Sequence, residues 1–175
     1  MKNKITFKDS ASNLSSLKSK LFICGLFKGA SVDKSIDKVL NKTLSKTIKL
    51  ESFKGIYKKN LSFYGNNLER IIVIGLGEKN KYSTDRLREI GALISKKTNA
   101  LDIDSITIDT NSFNMKIGKY SQAITEGLIL GNYQFLNYKT IDAKNNSLKS
   151  VSLYGSYDKK NNHTGQVLGL SVNYS

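Results

Sequence analysis

Short continuous runs of apolar residues along this chain alternate with longer amphipathic stretches. Five runs predict strands: "ITF", "LFICGLF", "RIIVIGLG", "SITIDT" and "LKSVSLYG". The runs Leu21 to Phe27 and Arg70 to Gly77 are apolar almost throughout, which is typical of strands buried on both faces of a sheet. We expect the second of these runs to be the central strand.

Helical spacing of apolar residues appears between the runs. After "KGA", Ser31 or Asp33 can cap a helix, and its apolar positions are Val32, Ile36, Val39 and Leu40. After "RIIVIGLG", Ser83 or Thr84 can cap a second helix, and its inward stripe comprises Leu87, Ile90, Leu93 and Ile94.

Two further helices are predicted in the second half of the chain. In "KYSQAITEGLILGNYQFL", the residues expected to face the sheet are Ala123, Ile124, Gly127, Leu128 and Leu130. The polar loop at the start of "NNHTGQVLGLSVNYS" leads into a last helix. Between the first two helices, "TIKLESF" and "NLSFYG" flank "KGIYKK" and predict a hairpin. Strands that alternate with helices indicate an α/β sandwich with a mixed, largely parallel sheet.

The turn after "RIIVIGLG" invites comparison with nucleotide-binding loops. A dinucleotide fingerprint needs Gly-x-Gly-x-x-Gly, but Gly75 and Gly77 are followed by Asn80 at the third position. Glu78 also places a negative charge where a pyrophosphate would lie. We therefore interpret Gly75 and Gly77 as an exit turn, at which side chains would obstruct the path of the chain.

Length and composition are those of one globular domain. The chain has 175 residues, of which 39% are hydrophobic. Its longest apolar run is far shorter than the roughly 20 residues that span a bilayer, and its first residues do not form a signal peptide. We therefore expect a cytoplasmic protein without a membrane partner.

The formal net charge of +14 comes almost entirely from lysine, because arginine occurs only at Arg70, Arg86 and Arg88. Sequence-specific nucleic-acid readers favour arginine forks and clustered basic faces. The scattered lysines are more typical of a solvated surface. Weak, salt-sensitive binding to nucleic acid stays open as an alternative, because the charge alone can produce it.

Residues that could carry chemistry are few. A zinc site needs three or four ligands, yet the chain has one histidine, His163 in a polar loop, and one cysteine, Cys24 in an apolar run. We expect His163 to be a surface residue and Cys24 to be a buried, unreactive thiol. Asp102 and Asp104 follow a predicted helix and could bind Mg²⁺ or act as acid and base, but paired acids at such junctions are usually turn and cap residues.

The order of these segments resembles the N-terminal domain of the leucyl aminopeptidase family, the two-metal cytosol aminopeptidases. The matching pieces are "LFICGLFKG", "ESFKGIYKK", "RIIVIGLGEK", "LREIGALI" and "AITEGLILGNYQFLNYKT". The last piece, residues 123–140, is the most specific, and it departs from the family pattern in having Thr140 where serine is common. The closing "GQVLGLSVNYS" resembles the helix that leads into the family's catalytic domain.

This resemblance implies a macro-domain-like, three-layer α/β fold in residues 1–160, and in residues 161–175 the start of a linker helix toward a catalytic domain. In the family, two divalent metals (zinc or manganese) and the catalytic residues belong to that domain. The resemblance therefore assigns no catalytic, cofactor-binding or metal-binding residue to this chain. It implies a non-catalytic assembly or regulatory domain of a homohexameric aminopeptidase, with its own catalytic domain and neighbouring subunits as partners.

Two alternatives remain beside this expectation. One is a basic nucleic-acid binding module, as the net charge suggests. The other is a nucleotide or ADP-ribose binder, because macro domains often bind that ligand. The second alternative needs a receptive glycine loop and an aspartate that contacts adenine, and the sequence does not place either of them.

Overall fold

Strands and helices alternate along the chain in a computed structural model that describes residues 4–10, 20–66, 70–134 and 147–172. The strands are β1 (Thr6–Asp9), β2 (Phe22–Phe27), β3 (Asn60–Phe63), β4 (Ile71–Gly77), β5 (Ser105–Asp109) and β6 (Ser150–Tyr154). The helices are α1 (Lys34–Val39), α2 (Thr43–Leu50), α3 (Thr84–Ala100), α4 (Gly118–Gln134) and α5 (Lys159–Val172). Among the described residues, no helix is both long and apolar enough to cross a membrane.

The strands form one sheet of six in the order β1-β6-β5-β2-β4-β3. Every neighbouring pair is parallel except β3 with β4, which is antiparallel. Parallel strands need long crossovers, and the helices supply them. The prediction of a mixed, largely parallel sheet is therefore confirmed.

Helices cover both faces of the sheet. On one face, a core forms beneath α3 and α4 and includes Leu87, Ile90, Ile94, Ile124 and Leu128. On the other face, a smaller core includes Ile36 of α1, Leu40 directly after α1 and Leu44 of α2, which pack on Phe22 and Val73. The protein is thus a three-layer sandwich, as expected.

Two predicted caps are present at helix starts. The Asp33 carboxylate accepts hydrogen bonds from the backbone amides of Ser35, at 2.7 Å, and Ile36, at 3.3 Å. The Ser83 hydroxyl accepts one from the Arg86 amide, at 3.2 Å. Each cap satisfies amides that have no partner inside the helix, so these residues determine where α1 and α3 begin.

Helices α3 and α4 approach so closely that their backbones are in contact. A Cβ atom added at Gly127 would lie 2.1 Å from the carbonyl oxygen of Arg88, and one at Gly91 would lie 2.4 Å from that of Ile124. The expectation that Gly127 faces the sheet is therefore wrong. Glycine is needed there because a side chain would force the two helices apart.

The predicted hairpin is wrong in its first strand. Most of "TIKLESF" lies in α2, because Leu44 is buried and Ile48 packs beside it one helical turn later. Leu50 is 72% exposed, so the alternation of Ile48 and Leu50 does not reflect burial on one face of a strand. Strand β3 pairs with β4 instead.

Two other predictions need correction. The run "RIIVIGLG" is strand β4, but it lies beside the edge strand β3 and is not central. Its seven residues are all buried because helices cover both faces, and such burial does not require a central position. His163 lies within α5, which already begins at Lys159, whereas a loop was expected there.

Candidate functional site

The glycine turn at the end of β4 is filled by the protein's own backbone. A Cβ atom at Gly75 would lie 1.9 Å from the carbonyl oxygen of Ile56. The Gly75 amide donates to the Lys59 carbonyl at 2.7 Å, and the Gly77 amide donates to the Gly55 carbonyl at 2.9 Å. Gly77 has a φ of 74°, which fits an exit turn. Gly75 serves a different purpose, because it gives room for the segment before β3.

Glu78 is also engaged at this turn. Its carboxylate lies 3.1 Å from the Lys81 ammonium and 3.5 Å from that of Lys28. Hydrogen bonding to Lys81 is the main reason that the pKa of Glu78 lies below its usual value. Since the amides of Gly75 and Gly77 are already bonded, this turn is not arranged as a phosphate cradle.

Asp102 and Asp104 lie between α3 and β5, as expected, but they bind different partners. The Ser147 hydroxyl donates to Asp102 at 2.5 Å, and Asp102 has a φ of 57°. Lys20 pairs with Asp104 at 2.7 Å and lowers the pKa of that carboxyl. Both residues therefore make structural contacts within the junction between α3 and β5. Among the described residues, no group of three or more His, Cys, Asp or Glu could hold a metal ion.

Cys24 and His163 occupy the surroundings that the sequence indicates. Cys24 is a free, buried thiol in β2, and burial raises its pKa. It is therefore poorly suited to act as a nucleophile. His163 is exposed on α5.

A cleft opens at the carboxyl ends of β2 and β5, and its cavity has a volume of about 280 Å³. The segment after β2 supplies Val32 and Asp33, and the segment after β5 supplies Asn111 and Ser112. In open α/β sheets, ligands bind outside the carboxyl ends of neighbouring parallel strands. This cleft is the candidate site with the most suitable position.

Asp109, the last residue of β5, lines this cleft and is only 1% exposed. Its Oδ1 atom has no hydrogen-bond partner among the described residues. Burial raises the pKa of Asp109 to about 6, although hydrogen bonds from Asn111 and Ser112 act in the opposite direction. A buried carboxylate with an unpaired oxygen costs stability, so it requires an explanation.

The position of Asp109 is fixed by Ser112. The Ser112 hydroxyl accepts from the Gly25 amide at 2.9 Å and donates to the Asp109 carbonyl at 2.8 Å. It thereby links β2 to the segment that follows β5. The Thr110 amide donates to the Tyr154 carbonyl at 2.9 Å, which ties the same segment to β6. The floor of the cleft is therefore rigidly held.

A second cavity, of about 590 Å³, adjoins the cleft at the carboxyl ends of β1 and β6. Ile36 and Asn111 line both cavities. Within it, Asp9 pairs with Lys159 at 3.0 Å and accepts a short hydrogen bond from Tyr157. These contacts connect the end of β1 to the start of α5. Burial and the hydrogen bond to Asp9 raise the pKa of Tyr157 to about 12.

Asp109 was not predicted as a site residue from the sequence. Asp102 and Asp104 are more conspicuous there, because they are two acids close together in the chain. The available signal was the place of Asp109 in "SITIDT", where a carboxylate ends an otherwise buried strand. The cleft itself depends on strand order, because β2 and β5 are far apart in the chain and neighbours in the sheet.

The model of the cytosol aminopeptidase family, N-terminal domain, matches residues 23–142. The chain belongs to this family. A probable cytosol aminopeptidase from Aquifex aeolicus is 28% identical over 130 residues, which are 73% of this chain and 26% of that protein. One from Clostridium tetani is 32% identical over 111 residues, 63% of this chain and 23% of that protein. The matched part of this cytosol aminopeptidase domain thus spans about a quarter of these relatives' length.

Solved structures agree with the fold. A mutant of tomato leucine aminopeptidase superposes with a TM-score of 0.73 at 21% identity, over 99% of this chain and 36% of that chain. The macrodomain of DarG from Mycobacterium tuberculosis superposes with a TM-score of 0.56 at 9% identity, over 87% of this chain and 99% of that chain. The macro-domain-like fold expected for the cytosol aminopeptidase domain is therefore confirmed.

The stretch 123–140, which resembles the aminopeptidase family most specifically, begins inside α4. There Glu126 accepts from Arg88 Nε at 2.6 Å and from Gln122 Nε2 at 2.8 Å. With Gly127, Glu126 therefore holds α4 against α3. Residues 135–140, including Thr140, lie outside the described residues.

The last helix of the cytosol aminopeptidase domain carries an apolar pair on its outer side. Gly165 and Gly169 of α5 face α4, where a Cβ atom at Gly165 would lie 2.6 Å from the Gln122 carbonyl oxygen. Val167 and Leu168 are 52% and 43% exposed. Apolar side chains on one helix that remain exposed together are candidates for contact with another domain or subunit.

Proposed function

We propose that this chain is a non-catalytic assembly or regulatory domain of a metal-dependent leucyl aminopeptidase that releases N-terminal amino acids from peptides in the cytoplasm. The match of residues 23–142 to the N-terminal domain of the cytosol aminopeptidase family carries this proposal. The two metals, zinc or manganese, and the reacting groups would belong to a catalytic domain. Residues 161–175 would begin the helix that leads to that domain.

The apolar pair on α5 supports an assembly role. Val167 and Leu168 lie on the proposed linker helix and are exposed, whereas Gly165 and Gly169 of the same helix face α4. Burying them against a catalytic domain or a neighbouring subunit of a homohexamer would remove apolar surface from water. The exposed pair thus lies on the helix that would lead to the proposed partners.

An activity assay tests the non-catalytic part of the proposal. The purified chain is incubated with leucine amide and added Mn²⁺ or Zn²⁺, and released leucine is measured. We expect no turnover above the metal-only control, because the proposal places the reacting groups in another domain. Clear turnover by the chain alone would overturn the proposal.

Association measurements test the assembly part. In the native gene product, Leu168→Ser should weaken association of subunits, measured by sedimentation, while the melting temperature of the isolated domain stays the same. Leu50→Ser is the matched control, because Leu50 is 72% exposed and lies on α2. Equal effects of the two substitutions would remove α5 as the assembly surface.

A nucleotide or ADP-ribose ligand is the second candidate function. The position of the cleft at the carboxyl ends of β2 and β5 favours it, because doubly wound sheets bind nucleotides there. This candidate needs an aspartate that contacts adenine, and Asp33 and Asp109 both line the cleft. Both carboxylates would also repel the phosphates of the ligand, which opposes the candidate. Calorimetry with ADP-ribose at millimolar concentration tests this candidate, and the absence of heat would exclude it.

A further inference from the structure

The cleft over Asp109 combines three features that point to a ligand. It is an open cleft of about 280 Å³, close to the lower end of small-ligand sites, which are about 300–1,000 Å³. It has apolar walls, to which Val32, Ile36 and Leu44 contribute. Asp109 is one of its lining residues, and the buried Oδ1 atom of its carboxylate has no hydrogen-bond partner among the described residues.

Asp109 determines which chemical group a ligand of this cleft must carry. An ionised carboxylate only accepts hydrogen bonds, so its missing partner must be a donor. Asn111 and Ser112 already donate to this carboxyl group, yet its pKa stays raised because it is buried. A ligand that brings a donor to Oδ1 would recover the interaction that Asp109 lost when it left water.

The charges around the cleft favour a cationic donor. Asp33 lines the cleft as well, and its charge raises the pKa of Asp109. Lys79 is the cation among the lining residues, and its ammonium lies 5.6 Å from the centre of the Phe27 ring. One lysine offsets one of the two carboxylates, so an ammonium ion can compensate the other.

We propose that this cleft binds a small primary ammonium compound with an apolar body, whose ammonium group donates to Asp109 Oδ1. Amino acids with apolar side chains and their amides belong to this class. The ammonium would lie on the floor between β2 and β5, and the apolar body would lie against Val32, Ile36 and Leu44.

A titration with leucine amide tests this proposal. The ligand is added to the purified, isotope-labelled chain without metal, and backbone amide signals are followed by NMR. We expect saturable shifts at Gly25, Asn111 and Ser112, which surround Asp109. 4-Methylpentanamide, which has the same apolar body and lacks the amino group, should produce no saturable shifts. Because this assay measures binding without turnover, its failure is distinguishable from failure of the proposed assembly function.

Variants locate the ammonium contact. Asp109→Asn should weaken leucine amide binding at least about tenfold, because a charge-assisted hydrogen bond is lost. Asp33→Asn keeps an equally good helix cap and removes the charge, so it should weaken binding by a smaller factor. Asp104→Asn is the matched control at the other end of β5, where Asp104 pairs with Lys20, and should leave affinity unchanged.

The proposal is overturned if leucine amide gives no saturable shifts, or if Asp109→Asn binds it as tightly as the parent chain. It is also overturned if 4-methylpentanamide binds equally well, or if adenosine or ADP-ribose binds at these residues and leucine amide does not. Circular dichroism shows whether Asp109→Asn is folded. If it is not, the comparison of the two amides on the parent chain still decides the matter.

Discussion

At the scale of single residues, the burial of Asp109 lowers the stability of the fold and leaves a carboxylate oxygen that can accept a hydrogen bond from a ligand. Asp109 is 1% exposed, and its Oδ1 atom has no hydrogen-bond partner among the described residues. Ser112 holds it in place through bonds to Gly25 and to the Asp109 carbonyl. A group that is rigidly placed and costly to bury is more typical of binding sites than of cores.

This burial predicts a pH dependence of stability. The pKa of Asp109 rises from 3.8 to about 6 on folding, so between these values the folded chain keeps a proton that the unfolded chain has lost. The free energy of unfolding should therefore fall as pH rises from about 4 to 6. Asp109→Asn removes the carboxyl group whose ionisation costs this stability. The variant should therefore be more stable than the parent at pH 7, by up to about 3 kcal/mol.

Urea unfolding of both proteins at pH 3.5 and pH 7 measures the effect. The gain from Asp109→Asn should nearly vanish at pH 3.5, where the parent carboxyl is almost fully protonated in the folded state and mostly protonated in the unfolded state. Asp104→Asn is the control, because Lys20 lowers the pKa of that carboxyl, so its loss should reduce stability slightly at pH 7. Equal stability of Asp109→Asn and the parent at both pH values would contradict the prediction.

At the scale of elements, contact between helix backbones organises one layer of the sandwich. Gly127 and Gly91 bring α4 and α3 together, and the Ser95 hydroxyl donates to the Leu128 carbonyl at 2.5 Å across the same contact. The ion pair of Arg88 with Glu126 lies beside it. The layer therefore depends on small residues and a few polar bonds as well as on apolar burial.

Gly127→Ala tests that contact. Its methyl group would lie 2.1 Å from the Arg88 carbonyl oxygen, so the helices must separate. We expect a loss of about 2–3 kcal/mol in the free energy of unfolding, because overpacking outweighs the better helix propensity of alanine. Lys96→Ala, an exposed change on α3, should stay within about 0.5 kcal/mol. A thermal melt in which the two variants are equally stable would show that the contact can relax.

The elements also show what can be inferred from the sequence. Strands β2, β4, β5 and β6 and helices α3 and α4 were predicted because their apolar patterns are long and regular. Helix α2 was not, because the apolar residues Ile48 and Leu50 of "TIKLESF" alternate with polar ones as in a strand, and only the packing of Leu44 and Ile48 reveals the helix. Strand order, the cleft and the role of Gly127 depend on contacts between distant segments, which one sequence does not display.

At the scale of the whole molecule, the three arginines are engaged within the fold. Arg70 donates to the Tyr64 hydroxyl at 2.6 Å, Arg86 stacks 4.3 Å from the centre of the Tyr57 ring, and Arg88 pairs with Glu126. Arginine forks are the groups best suited to read base edges. The net charge of +14 is therefore expressed mainly through lysine.

Because the arginines are engaged within the fold and lysines carry most of the positive charge, we predict weak, non-specific binding to nucleic acid. Filter binding of labelled duplex DNA across a salt series should show affinity at about 50 mM salt that is lost by about 200 mM. Two duplexes of different sequence should behave alike. Affinity that persists at higher salt, or a tenfold preference for one duplex, would instead indicate a dedicated nucleic-acid site.

The two edge strands of the sheet share two features that discourage pairing with strands of other molecules. Strands β1 and β3 are each four residues long. Lys8 is exposed in β1, and Lys59 is exposed immediately before β3. An unpaired strand edge invites the strand of another molecule, and short length and lysine both discourage such pairing. Replacing these lysines to make a less basic protein would therefore remove a safeguard against aggregation.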